Sequence, residues 1–370
     1  MFTESSIRVL NKKLRFVTKQ RDFCCNLIFD YSRSLFLFPL ITKGKSGKHF
    51  AGKEHLFMEV LLQILLVVVG FAMLVKGADW FVDGAAGIAE RFGIPQLVIG
   101  LTIVAMGTSA PEAAVSISAA FKGTADITIG NVVGSNILNI LIILGLTSVI
   151  VAVAVQKSTV RYEIPFMIGV TVLLLVFGWT GNVVSRLEGA ILWIFFLVYI
   201  VYLYRMTKNQ KPQEEEEKKQ KMSIGKLLFL VVVGLVLVVF GSDVTVDAAT
   251  ALAKIVGLSD KFIGLTIIAL GTSLPELVTS VSAARKGKAD IAIGNIVGSN
   301  IMNILFVVGT TALILPVPFA SGFAVDMAIA IASAVLLFFC VFRKYKLDRM
   351  GGVLMLLGYA AYFVYLCVGK

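Results

Sequence analysis

The chain has 370 residues, of which 58% are hydrophobic and 15% charged, and its formal net charge is +11. In soluble domains roughly a quarter of the residues are charged, so this composition argues against a soluble protein and for one that lies in a membrane. The basic residues lie in short segments between apolar runs rather than in a stripe with interleaved aromatic residues, which argues against a nucleic-acid partner. The four cysteines do not have the spacing of a metal site or a disulfide framework, so no cofactor is expected. The sequence also has no nucleophile–base pair and no phosphate loop, which argues against an enzyme.

The first 57 residues contain 11 Lys and Arg residues and no clean membrane span. Their best apolar run, 23–42, is interrupted by Asp30 and Arg33. We therefore interpret 1–57 as an N-terminal extension that is disordered, or that precedes the true start of the functional protein at Met58. An eleventh helix is the remaining alternative.

Ten further segments are candidates for membrane spans, because a transmembrane helix needs about 20 apolar residues. Five precede and five follow a highly charged segment, 207–224, which we expect to be a solvated linker on the cytoplasmic side. This linker divides the chain into a first unit, 58–206, and a second unit, 225–370. The predicted helices cover residues 60–82, 97–121, 126–151, 163–181, 187–206, 225–246, 262–284, 290–314, 322–343 and 350–368.

The two units contain an internal repeat. Residues 100–145 begin GLTIVAMGTSAPE, residues 264–309 begin GLTIIALGTSLPE, and 31 of the 46 aligned positions are identical. Each unit has five predicted helices, and because five is an odd number, the second unit enters the membrane from the opposite side. The sequence therefore predicts an all-α polytopic membrane protein whose ten transmembrane helices form two inverted five-helix repeats.

The positions of Lys and Arg set the expected orientation, because basic residues concentrate in cytoplasmic loops. If the first helix starts outside, the inside segments after residue 58 hold 17 basic residues and the outside segments hold 5. The turn FKGTAD at 121–126 becomes RKGKAD at 285–290, which gains two positive charges where this orientation places it inside. We expect a multi-pass protein of the cell membrane, plasma or inner, with both termini of the 58–370 unit outside.

Each repeat carries one glutamate, Glu112 or Glu276, deep in an apolar run. A carboxylate at this depth is costly and indicates a functional site. Pro111 and Pro275 precede the glutamates, and because proline lacks an N–H, each frees a helix carbonyl that could face an ion. A simple proline kink is the alternative, but it leaves the glutamates unexplained. The hydroxyl groups on the same helical faces belong to Thr108, Ser109, Thr272 and Ser273.

The helix that follows carries a polar stripe in both repeats, GNVVGSNILN at 130–139 and GNIVGSNIMN at 294–303. The polar residues at 131, 135 and 139, and those at 295, 299 and 303, fall four residues apart and so share one helical face, and Asn136 and Asn300 lie beside them. We interpret some of them as interhelical hydrogen-bonding groups, as is common in membrane bundles: Asn131, Asn136, Asn295 and Asn300. Those that lie farther into the membrane are candidate ion ligands: Ser135, Asn139, Ser299 and Asn303. For Asp126 and Asp290, which open these helices, helix capping is the favoured role.

The candidate ligands are oxygen atoms only, and hard cations such as Ca²⁺ and Na⁺ prefer such sites. No histidine or cysteine lies near, which argues against zinc, copper or iron. Two carboxylates neutralise one Ca²⁺ or accompany several Na⁺ ions. Because both ions would share Glu112 and Glu276, they would compete, and competition in a two-sided protein favours exchange.

The paired G-L-T-x-x-A-x-G-T-S-x-P-E and G-N-x-V-G-S-N segments resemble the two alpha repeats of the calcium/cation antiporter superfamily, in its sodium/calcium exchanger branch. The resemblance covers residues 58–370 and implies Ca²⁺ exchange for Na⁺ by alternating access. It also implies backbone oxygens of Ala105 and Ala269 as sodium ligands. Some members carry aspartate at the position of Asn303, so the stoichiometry and any potassium dependence stay open. The implied side-chain ligands are Thr108, Ser109, Glu112, Ser135, Asn139, Thr272, Ser273, Glu276, Ser299 and Asn303.

Other transport functions are compatible with the same residues. A cation/proton exchanger on the same fold would let the two glutamates alternate between Ca²⁺ and protons. A cation channel lined by these oxygens is less favoured, because an inverted repeat is typical of carriers. The sequence leaves the direction of transport and the oligomeric state open.

Overall fold

The computed structural model describes residues 51–125, 127–209, 222–257, 269–320 and 322–368. The chain divides into two compact units, 1–58 and 59–370. Of the first unit, only the residues from 51 onward are described, and they are helical. The predictions for residues 1–50, for Asp126 and for most of the charged linker lie outside the described residues.

The described residues form helices and four short strands. The strands are β1 (Val153–Ala154), β2 (Val183–Val184), β3 (Val317–Pro318) and β4 (Lys346–Leu347). The helices are α1 (Ala51–Phe92), α2 (Gln96–Thr108), α3 (Ala110–Phe121), α4 (Ile127–Ile150), α5 (Thr159–Gly181), α6 (Arg186–Asn209), α7 (Ile224–Ile255), α8 (Ala269–Gly271), α9 (Leu274–Arg285), α10 (Ala289–Ile314), α11 (Phe323–Phe342) and α12 (Arg349–Val368).

Within these ranges, eight helices are long and apolar enough to cross a membrane. Helices α2 and α3 make a ninth span if they are counted together, and they meet at a bend of 51°. The span predicted at 262–284 is described only from Ala269 onward, as α8 and α9. The structure confirms a mostly helical, multi-pass membrane protein, while the count of ten spans stays a prediction.

Helices α4 and α10 form the centre of the molecule. In the most apolar 18-residue stretch of each helix, 94% of α10 and 72% of α4 is buried, against 11% of α1. Both central helices combine apolar residues with the small and polar residues of the repeat motif, so they are buried on all sides. Each widens at the same point of the repeat into a π-helical turn, which begins at Asn139 in α4 and at Asn303 in α10.

The two halves of the chain interlock around this centre. Helix α12 of the second half packs on the end of α4, and α6 of the first half packs on the end of α10. Strand β1 pairs antiparallel with β4, and β2 pairs antiparallel with β3, so each ladder joins one half to the other.

Helices α1 and α7 run antiparallel along a seam of glycines. A Cβ atom on Gly234 would lie 2.5 Å from the backbone nitrogen of Phe81, and one on Gly241 would lie 2.8 Å from the carbonyl oxygen of Gly70. Gly77 faces Gly234 across the same seam. Small residues of this kind allow backbones to approach closely, which is a common way of joining helices in a membrane.

We predict that Gly234→Ala lowers the melting temperature of the purified protein in detergent. The added methyl group must push α1 away, and overpacking of this kind costs about 1–3 kcal/mol. Gly169→Ala in α5 is the matched control, because a Cβ there has no neighbour within 4 Å. Alanine is favoured over glycine within a helix by about 0.5–1 kcal/mol, so this control should melt no lower than the unmodified protein. Equal melting temperatures for the two variants would contradict the close contact at the seam.

Candidate functional site

A break in the helix precedes each buried glutamate. Ser109 separates α2 from α3 with φ −84° and ψ 7°, and Ser273 separates α8 from α9 with φ −94° and ψ 4°. Pro111 and Pro275 therefore lie in the first turn of a new helix, where proline is well tolerated because an N–H is not needed. The sequence predicted prolines inside continuous helices, and the structure corrects this.

One carbonyl that proline frees has a partner in the protein. The Oγ of Ser242, on α7, donates to the carbonyl oxygen of Gly271 at 2.8 Å. This carbonyl, which the sequence predicts to be unpaired, therefore has a hydrogen-bond partner in the second repeat. The corresponding position of the first repeat, 164 residues earlier, is Ala78, which has no hydroxyl to offer.

The two glutamates are almost fully buried, with 1% of Glu112 and 0% of Glu276 exposed. The Oγ of Ser109 donates to Oε1 of Glu276 at 2.9 Å, which links the two repeats. The Oγ of Ser135 lies 3.5 Å from Oε1 of Glu112 and donates to it within the first repeat. The structure thus brings two predicted hydroxyl ligands directly to the two carboxylates.

Asn131 and Asn295 join neighbouring helices, as predicted. The Nδ2 of Asn131 donates to Oγ of Ser116 at 2.9 Å, and the Nδ2 of Asn295 donates to Oγ of Ser280 at the same distance. Asn295 has a further contact, since its Oδ1 accepts a hydrogen bond of 3.0 Å from Oγ1 of Thr108. This second bond holds a predicted ligand of the first repeat to a helix of the second.

Four asparagines form a crossed network between α4 and α10. The Nδ2 atoms of Asn136 and Asn300 donate to each other's backbone carbonyl oxygens, at 3.2 and 3.1 Å. The Nδ2 of Asn139 donates to Oδ1 of Asn300 at 2.9 Å, and that of Asn303 donates to Oδ1 of Asn136 at 3.1 Å. The predicted ligands Asn139 and Asn303 are therefore each bonded to the opposite repeat.

Several predicted ligand atoms are buried and lack a hydrogen-bond partner. A buried polar group left in this way costs about 1–3 kcal/mol, so a cluster of such groups needs an explanation. A role that would explain these oxygen atoms, which come from both repeats, is to surround a hard cation. These atoms are Oε2 of Glu112, Oε2 of Glu276, Oγ of Ser273, Oγ of Ser299, Oδ1 of Asn139 and Oδ1 of Asn303.

The remaining predicted ligands lie at the helix breaks. The carbonyl oxygen of Ala105, one turn before the break, accepts a hydrogen bond of 3.0 Å from the backbone N–H of Ser109 and lies 3.4 Å from Oγ1 of Thr108. Thr272 is half-buried at the second break, and Ala269 begins α8.

Three acidic residues outside this cluster, Asp79, Asp83 and Asp290, have other partners. The Nζ of Lys286 contacts Oδ1 of Asp83 at 2.8 Å and Oδ1 of Asp79 at 3.4 Å. Asp290 lies in the first turn of α10, but its Oδ2 accepts from Nε2 of Gln156 at 2.6 Å instead of capping its own helix. Within the described residues, no three His, Cys, Asp or Glu side chains come together as a metal site, so a bound cation needs neutral oxygens as well.

A small cleft, with a cavity volume of about 40 Å³, is lined in part by Ser109, whose hydroxyl is bonded to Glu276. It lies between the α2–α3 break and the π-helical part of α10, so it is formed by both halves of the chain. The residues that line it are Met106, Ser109, Ala113, Met302, Phe306 and Val307.

Comparisons with known proteins agree on one family. The family model described as sodium/calcium exchanger protein matches residues 62–205 and 226–368. The putative antiporter CaxA of Alkalimonas amylolytica is 38% identical over 313 residues, which cover 82% of this chain and 98% of CaxA. The sodium/calcium exchanger MaX1 of Methanosarcina acetivorans is 35% identical over 348 residues, covering 83% and 99%. The solved structure of the sodium-calcium exchanger NCX_Mj, soaked with zero Na⁺ and Ca²⁺, matches with a TM-score of 0.72 at 33% identity, covering 83% of this chain and 99% of that chain.

We predict that Ser242→Ala lowers the free energy of unfolding by about 1–3 kcal/mol, because it leaves the buried carbonyl of Gly271 without its donor. The measurement is a melting curve of the purified protein in detergent. Ser333→Ala is the control: this serine is also buried, but its Oγ bonds to the carbonyl oxygen of Ile329 within its own helix. That carbonyl can also accept the regular helical N–H, so the control should melt close to the unmodified protein. Equal losses in the two variants would contradict the role of Ser242.

Proposed function

From the premise that this chain belongs to the sodium/calcium exchanger protein family, we propose that it exchanges Ca²⁺ for Na⁺ by alternating access. The family comparisons already identify a multi-pass cation antiporter. The observation that carries the finer proposal is that six oxygens of the predicted ligands are buried and unpaired, among them Oε2 of Glu112 and Oε2 of Glu276. Calcium accepts six to eight oxygens in flexible arrangements, and this cluster supplies two carboxylates with neutral oxygens beside them.

We assign the ion-binding role to oxygens of both repeats. The two carboxylates neutralise Ca²⁺, and the hydroxyl and amide oxygens complete its shell. Na⁺ takes the same carboxylates together with backbone oxygens. The proposed ligands are Ala105, Thr108, Ser109, Glu112, Ser135, Asn139, Ala269, Thr272, Ser273, Glu276, Ser299 and Asn303.

Exchange follows from sharing one site between two ions. Ca²⁺ and Na⁺ cannot both be fully coordinated while they use Glu112 and Glu276. The site also lies between the repeats, since Ser109 of one repeat bonds to Glu276 of the other. A movement of one repeat against the other would therefore open the site to one side while closing it to the opposite side.

We further propose that 58–206 and 225–370 are inverted repeats of five helices each, joined by the linker 207–224. The antiparallel contact of α1 with α7 supports this, since the two helices occupy equivalent places in the repeats. Contacts between loops support it as well. Strands β1 and β4 lie in loops that ten spans would place inside, and β2 and β3 lie in loops that ten spans would place outside.

The test of the proposed function is calcium-45 uptake into proteoliposomes under an imposed Na⁺, K⁺ or proton gradient. We expect the Na⁺ gradient to drive uptake, and Glu112→Gln and Glu276→Gln each to reduce uptake to the level of protein-free liposomes. One remaining carboxylate cannot neutralise a divalent ion in a site of low dielectric. Uptake driven only by a proton gradient would identify a cation/proton exchanger instead.

Glu163→Gln provides the matched control for these variants. Glu163 is also buried, with 1% exposed, but it lies on α5 and accepts a hydrogen bond from Tyr202 rather than from the cluster. This variant should retain sodium-driven uptake. Normal uptake by either Glu112→Gln or Glu276→Gln would remove the two-carboxylate site.

We also predict the orientation in the membrane. Single cysteines at Asn182, between α5 and α6, and at Arg343, between α11 and α12, occupy exposed loop positions. In a background without the four native cysteines, an impermeant thiol reagent on intact cells should label position 182 and not position 343. Lysed cells provide the control, since both positions should then react. Labelling of both in intact cells would place the two loops on one side and contradict the ten-span topology.

A further inference from the structure

The crossed asparagine network contains two residues that the proposed exchange does not use, Asn136 and Asn300. Both are buried, with 4% and 1% exposed. Each donates through Nδ2 to the backbone of the other, which would suffice to join α4 to α10. Each also accepts through Oδ1 from a proposed ion ligand, Asn303 or Asn139, and this second bond has a different consequence.

The consequence comes from the shape of a carboxamide. Its oxygen and its NH₂ group have nearly the same size, but only the oxygen can bind a cation. Because Nδ2 of Asn139 donates to Oδ1 of Asn300, the Oδ1 of Asn139 is left unpaired in the cluster. If the amide of Asn139 were flipped, its Oδ1 would face the Oδ1 of Asn300, and its NH₂ group would take the place of the ligand oxygen.

The amide of Asn300, which orients the amide of Asn139, also has a fixed orientation. The Nδ2 of Asn300 donates to the backbone oxygen of Asn136, so the Oδ1 of Asn300 is the end that remains for Asn139. The same holds with the repeats exchanged, since Asn136 donates to the backbone of Asn300 and accepts from Asn303. Backbone carbonyls cannot act as donors, so every amide in the network has one favourable orientation.

We propose that Asn136 and Asn300 are positioning residues that set the amide orientation of the ion ligands Asn303 and Asn139, so that each repeat orients a ligand of the other. The proposal rests on the proposed function in one respect, namely that Asn139 and Asn303 bind the ion. It goes beyond that function by making calcium affinity depend on the fit between the repeats. A purely structural role for Asn136 and Asn300 would join the helices without affecting which amide atom faces the ion.

Double-mutant cycles test the proposal, because each positioning residue should be coupled to one ion ligand of the opposite repeat and not to the other. The readout is equilibrium binding of calcium-45 to the purified full-length chain in detergent, which does not require transport. We expect Asn136→Leu to weaken Ca²⁺ binding by on the order of tenfold, because the amide of Asn303 loses its orienting acceptor. In an Asn303→Asp background the same substitution should not weaken binding further, because a carboxylate has two equivalent oxygens that need no orientation and it has no N–H to donate to Oδ1 of Asn136.

An Asn139→Asp background is the matched control, since Asn139 is oriented by Asn300 and not by Asn136. There Asn136→Leu should keep its tenfold effect. The mirror cycle, Asn300→Leu with Asn139→Asp, should show the same coupling, with Asn303→Asp as its control. Ser116→Ala removes a buried bond to Asn131 that involves no ligand side chain, and it should leave Ca²⁺ affinity unchanged.

Equal effects of Asn136→Leu in both backgrounds would overturn the proposal, because residues that do not interact give additive changes. Coupling of Asn136 to Asn139 instead of Asn303 would also overturn it. If Asn136→Leu does not fold, Asn136→Ala and the mirror cycle carry the same test. Failure of the unmodified chain to bind calcium-45 would overturn the proposed function as well, whereas binding with additive effects would overturn this inference alone.

Discussion

The burial of two carboxylates at one place within the membrane is the constraint on which the other features of the structure depend. A charged group in hydrocarbon is costly unless it is paired, hydrogen-bonded or bound to an ion. The surroundings of Glu112 and Glu276 meet part of this need, because the hydroxyl of Ser135 donates to Glu112 and that of Ser109 donates to Glu276. The helix breaks at Ser109 and Ser273 also help to stabilise the buried carboxylates, because each break places a hydroxyl and a carboxylate within one turn of each other.

A second theme is that the two repeats complete each other. Ser109 reaches the glutamate of the opposite repeat, Thr108 reaches the opposite Asn295, and the short strands pair only across the halves. The two repeats differ in the hydrogen bonding of equivalent serines: Ser109 is bonded to a glutamate, while its counterpart Ser273 is unpaired. Two similar repeats thus hold two different side-chain arrangements at the same time.

Much of this could be read from the sequence because the relevant signals are local. Apolar length located the spans, and the repeat located both glutamates and the polar stripes. Helices α1 and α7 extend beyond their predicted ends, since hydropathy follows the apolar stretch and not the amphipathic turns that continue it. The sequence missed Ser242 because its partner carbonyl is distant in the chain and its counterpart, Ala78, carries no hydroxyl. The partner of Asp290, Gln156, was missed because it lies in the other half.

The interlocking of the halves also bears on how the protein is made. The chain is synthesised from its N-terminus, so the first repeat is inserted before α9 and α10 exist. During that interval the amide of Asn136 and the hydroxyl of Ser109 lack the acceptors that the second repeat supplies. Glu112 then lies in a half-built membrane domain, and polar groups in that position are costly. These polar groups therefore need other hydrogen-bond partners, from the insertion machinery, water or neighbouring lipid headgroups, until translation of the second repeat is complete.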